Sequence, residues 1–107
     1  MPENLPALLR ARKLQRRVAN RAPDAAEGSA GASLEAVDAA RERLAGLAEG
    51  GADGGPEAPE DERREIERAL GELLFAAVDV ARRLHCDPEL ALRAASDRFR
   101  TSVEADA

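Results

Sequence analysis

Two stretches of the chain carry carboxylates at spacings that would gather them on single helix faces. Glu65, Glu72 and Asp79 recur every seven residues, and Glu35, Asp38 and Glu42 stand three and four apart. In a helix each set shares one face. If the two faces meet, they offer hard oxygen donors of the kind that hold Mg²⁺ bound to substrate phosphates. If they do not, they are solvated faces paired with Arg41, Arg68 and Arg82, and spacing alone favours this reading. His85 and Cys86 form a second candidate pair, but neighbours on a short turn rarely converge on one point. The chain has one His and one Cys, too few for a zinc site. His85 is better suited to a helix C-terminus, where it tolerates φ > 0 and suits the dipole.

Four helices would have to position these groups. The first is expected over about residues 4–20, with Leu5, Leu8, Leu9, Ala11, Leu14 and Val18 on its apolar side. A breaker-rich linker, about residues 22–32, follows it. Ser33 then has the look of an N-cap for a second helix over about residues 34–48, which sets Leu34, Val37, Ala40, Leu44 and Leu47 on one face. A Gly/Pro-rich loop, about residues 49–60, leads to the longest helix, about residues 61–84. There Ile66, Leu70, Leu73, Ala77, Val80 and Leu84 make a heptad-like seam, widened by Leu74 and Phe75. Asp87 and Pro88 open the last helix as N-cap and first helical residue, and Leu92, Ala95, Phe99 and Val103 form its inner face.

Composition limits what these helices can do alone. Of 107 residues, 24 are Ala and only 21 are Leu, Ile, Val or Phe, so the core is thin. A thin core on long helices is commonly completed by self-association. The expected fold is one all-α domain over residues 1–107, a four-helix bundle finished by a homodimer or homotetramer. The single cysteine excludes an internal disulfide and points to a reducing compartment. The opening MPENLPALLRARK has no signal-like apolar run, and no stretch nears the roughly 18 apolar residues of a membrane span. A cytoplasmic, membrane-free protein is therefore the expectation. Residues 1–21 carry six cations against Glu3 alone, whereas the rest carries ten basic and twenty acidic groups. A basic arm on an acidic body could meet nucleic acid or a protein partner. Its blander role is a solvated face that also pairs with the acidic helices. No aromatic residue interleaves with the arginines, so nucleic acid is not the expected partner.

The segment LGELLFAAVDVARRLHCDPELALRAASDRFR, residues 70–100, resembles the hallmark region of the MazG family of nucleoside triphosphate pyrophosphohydrolases. LPALLRARKLQRRVA is similar to that family's opening helix, and LEAVDAARERL to its second helix in apolar frame. Gly71, Phe75, Arg82, Asp87, Pro88, Glu89 and Phe99 all fall in step. The resemblance implies an all-α oligomer in which metal-activated water attacks a nucleoside triphosphate, releasing the monophosphate and pyrophosphate. It also implies Mg²⁺ as cofactor if the chain is active, and none otherwise. The family's three glutamate positions on the second helix fall on Ala39, Ala40 and Arg43, and its Glu-x-x-Asp becomes Ala69-x-x-Glu72. Glu72 and Asp79 are the residual metal candidates, with Glu35, Asp38 and Glu42 weaker ones. Lys13 and Arg98 are candidates for substrate phosphate. The expected function is thus a MazG-like fold with lost or very weak hydrolysis, keeping nucleotide or phosphate binding or an assembly role. The alternatives are an active Mg²⁺-dependent hydrolase using the shifted carboxylates, and an interaction module using the basic first helix.

Overall fold

The computed structural model describes residues 6–21, 30–49 and 58–106. Among them are four helices and no strand: α1 (Ala7–Arg21), α2 (Ala30–Glu49), α3 (Glu60–Arg83) and α4 (Pro88–Asp106). The expected all-α order therefore holds. No helix is long and apolar enough to cross a membrane among the described residues. Helix α3 is the hub, packing most extensively on α2 and also touching α1 and α4. Among the described residues α1 and α2 do not touch one another.

The helix ends follow local chemistry. The Asp87 carboxylate accepts from Glu89 N at 2.9 Å and Leu90 N at 3.4 Å, capping α4 as its type and position suggest. Helix α3 stops because His85 turns to φ 58°, letting His85 N reach Arg82 O and Cys86 N reach Ala81 O. This paired closure satisfies carbonyls that the helix would otherwise leave open. His85 is thus a helix stop.

Three expectations need correction. Helix α1 begins at Ala7 after Pro6, and the proposed start at Asn4 lies outside the described residues. Ser33 is no N-cap, since α2 already begins at Ala30 and Ser33 lies buried inside it. The run Ala30-Gly31-Ala32 continues the helix backwards, and the Ser33 hydroxyl donates to Asp79 on α3. The linker expected over 22–32 thus ends earlier, and most of it, like residues 50–57 of the second loop, lies outside the described residues. The third correction concerns the core.

Large apolar residues do not make the tightest contact. The α2–α3 seam is built from Ser33 and Ala40 on one side and Ala69 and Ala76 on the other, all buried. Each pair is seven residues apart, so small side chains recur along one line and let the helices approach closely. Val78 is buried half a turn round from Ala76, on the far side of α3. Within one chain Leu70 and Leu84 of the seam and Leu74 and Phe75 beside it remain exposed. The inner face expected for α4 is exposed as well, with Phe99 at 72%. Apolar periodicity identifies the stripe, but not whether the same chain covers it.

Candidate functional site

Between α2 and α3 lies a groove of about 650 Å³, lined among others by Ser33, Ala39, Arg43, Glu72, Phe75 and Asp79. Glu72 and Asp79 project into it from one face of α3, as their spacing of seven requires. Gly71 also lines it, and a Cβ there would meet nothing within 4 Å.

The two carboxylates have different partners. Glu72 Oε2 is 2.6 Å from Arg43 Nη1, and Glu72 Oε1 is 3.6 Å from Arg68 Nε. These side chains are well exposed, Arg68 at 83%, so water screens the pairs. Asp79 is enclosed. Its Oδ1 accepts from Arg82 Nη2 at 2.6 Å and Nε at 3.1 Å, and its Oδ2 accepts from Arg83 Nε at 2.8 Å. The Ser33 hydroxyl also donates to Oδ2, tying α2 to α3. Burial alone would raise the Asp79 pKa. The bonds from Ser33, Arg83 and Arg82 and the charge of Arg82 outweigh it, bringing the carboxyl from 3.8 to about 2.

This donor set does not fit Mg²⁺. Glu72 and Asp79 are each held by guanidinium groups, and octahedral coordination would have to strip those contacts away. Among the described residues no three His, Cys, Asp or Glu side chains gather as a metal set. Glu35, Asp38 and Glu42 are exposed and do not line this groove. Asp38 and Glu42 each stand two residues from buried Ala40, about 200° round the helix and facing away from α3. The two acidic faces therefore do not meet. Lys13 and Arg98 are exposed on α1 and α4, and neither lines the groove.

Among the described residues the charge pairing expected of the first helix is nearly absent. Arg12 Nη1 lies 3.5 Å from Asp87 Oδ2, but Arg10, Lys13, Arg16, Arg17 and Arg21 make no ion pair with a described side chain. Cys86 is exposed, its Sγ 3.7 Å from Leu84 O, and it does not pair with His85.

Two polar residues escape a sequence reading. Ser33 is the fastener of Asp79, and only the α2–α3 register reveals it. Gln15 is buried in the apolar side of α1, where its Nε2 donates to Phe75 O at 2.9 Å. Among the described residues its Oε1 has no partner. The available signal is positional, because Gln15 follows Leu8 and Ala11 at core spacing. With Leu14, Val18, Phe75 and Arg82 it lines a second cavity of about 260 Å³ between α1 and α3.

Compared with known protein-family models and with curated proteins, the chain matches none of them.

Proposed function

We propose that this chain is a MazG-like protein whose pyrophosphohydrolase activity is lost or very weak, and which keeps phosphate or nucleotide binding in the α2–α3 groove together with an assembly role. The observation that carries this reading is the Arg43–Glu72 ion pair at 2.6 Å. Under the resemblance, both residues stand at metal-ligand positions, and one of them is now a cation. A guanidinium there repels a divalent ion and attracts a phosphate.

Two further ligand positions support the same reading. Ala40 and Ala69 are 1% and 2% exposed, serving as packing surface between the helices. Oxygen donors have been replaced by methyl groups that now hold α2 against α3. Arg43 and Arg68 both line the groove, beside Glu67 and Glu72, and give an anionic ligand two guanidinium donors. The oligomer, a homodimer or homotetramer, would cover apolar residues such as Leu74, Phe75 and Phe99.

The test is pyrophosphate release from a panel of nucleoside triphosphates with Mg²⁺ and with Mn²⁺. Release is expected at background for every nucleotide. Nucleotide binding by calorimetry is expected without added metal, and weakened about tenfold by Arg43→Ala. Robust hydrolysis by the unmodified chain, abolished by Glu72→Ala, would show an active enzyme working through the residual carboxylates.

A further inference from the structure

On α1, Arg10, Lys13 and Arg17 stand five before, two before and two after buried Gln15. On α2, Glu35, Asp38 and Glu42 stand five before, two before and two after buried Ala40. The offsets are identical. Each triplet therefore lies on the side of its helix opposite the buried residue, within a stripe about 10 Å long. All six side chains are exposed, and none makes an ion pair with a described side chain. Helices α1 and α2 each pack on α3 but not on each other, so the described chain does not bring its stripes together.

From this complementarity we infer that the basic stripe of α1 docks on the acidic stripe of α2 in a second copy of the chain. It rests on the assembly half of the function proposed above and adds a surface on α1 and α2 to the apolar residues named there. Closed two-fold symmetry would use each stripe once per copy, giving two equivalent contacts. Exposed ion pairs contribute little individually, so the stripes set register and encounter rate. Affinity comes from apolar neighbours such as Leu14 at the edge of the basic stripe and Leu34 beside the acidic one, both exposed in the single chain. A nucleic-acid backbone would also satisfy the α1 cations, but it leaves the matching α2 carboxylates unexplained and meets a chain of net charge −5.

The experiment is sedimentation velocity of the full chain at about 50 and about 500 mM NaCl, with association weakening about tenfold or more at high salt. Two charge-reversed variants carry the decisive arm: Arg10→Glu/Lys13→Glu/Arg17→Glu, and Glu35→Lys/Asp38→Lys/Glu42→Lys. Each alone is expected to stay monomeric where the unmodified chain associates, since it sets like charges against like. Helicity by circular dichroism should be kept, because every changed position is exposed. Mixed in equal amounts, the variants should associate again, because both stripe pairs are then complementary. Failure of the mixture to associate, or variants that associate like the parent, would overturn the inference. Salt-insensitive association would also sink it while leaving the assembly reading intact, whereas a chain monomeric throughout would end both. If duplex DNA is retained by the unmodified chain and lost only on α1 reversal, with association unaltered, the stripe belongs to nucleic acid instead.

Discussion

Glu72 and Asp79 lie seven residues apart on one face of α3 and line one groove, yet they are different chemical objects. Asp79 is 19% exposed and accepts from Ser33, Arg82 and Arg83 at once. Glu72 is 42% exposed, and its two arginines reach out through solvent. A carboxylate with several donors in a partly dry site is a structural joint. One facing water between long flexible cations is an exchangeable contact, which a competing phosphate could displace. The groove thus has a fixed end and an adaptable end. Spacing along the helix fixes the direction of a side chain, whereas its chemistry is decided by what the neighbouring helix brings to it.

Removing the joint is expected to have the largest effect. Asp79→Ala deletes the acceptor for Ser33 and leaves Arg82 and Arg83, at 16% and 14% exposure, without their common counter-charge. The cost is about 2–3 kcal/mol of folding stability, and urea unfolding followed by circular dichroism measures it. Asp79→Asn should recover part of this, because an amide still accepts one hydrogen bond. A loss under about 0.5 kcal/mol for Asp79→Ala would erase the distinction between the two ends of the groove.

Acid titration reads the same joint without mutation. The Asp79 carboxyl titrates at about 2 in the folded chain against 3.8 ordinarily. Because the folded value is the lower one, the stabilisation is whole above pH 3.8 and is lost as pH falls from there through about 2. The shift corresponds to about 2 kcal/mol. The difference in unfolding free energy between the parent and Asp79→Ala should therefore shrink over that interval. A difference constant down to pH 2 would mean that the joint is not ionic.

Much of this arrangement is legible in the sequence, for identifiable reasons. Asp87-Pro88 and His85 mark their helix ends because capping and φ > 0 depend on residues within a few positions. The four helices are legible because Ala, Leu, Arg and Glu dominate while breakers cluster between them. The core is less so. A periodicity argument weights Leu70, Leu74 and Phe75, yet the helices meet along Ala40, Ala69 and Ala76, where low volume permits close approach. Ser33 resembles a cap because small polar residues favour caps locally. Its partner is 46 residues away, beyond any local signal. The separate directions of the Glu35 and Glu72 faces likewise depend on which stripe of α2 is buried, and alanine gives little hydrophobic contrast with which to read that.

The adaptable end should yield the smallest effect on stability and, for that reason, the sharpest comparison. Glu72→Ala removes two ion pairs, but the partners are Arg43 at 55% and Arg68 at 83% exposure, and water resolvates both. Exposed pairs contribute roughly 0–1 kcal/mol each, and Arg68–Glu72 at 3.6 Å belongs at the low end. The expected loss is about 0.5 kcal/mol, shrinking further in high salt as screening replaces the contact. The same substitution frees both guanidinium groups and removes the negative charge that a phosphate must displace. Inorganic phosphate or a nucleotide should therefore bind more tightly to Glu72→Ala than to the parent, and raise its melting temperature by binding the folded state. Ligand binding and folding stability then move independently at this end of the groove, whereas at Asp79 stability dominates. A Glu72→Ala protein that lost several kcal/mol, or bound phosphate more weakly than the parent, would make Glu72 a second structural joint.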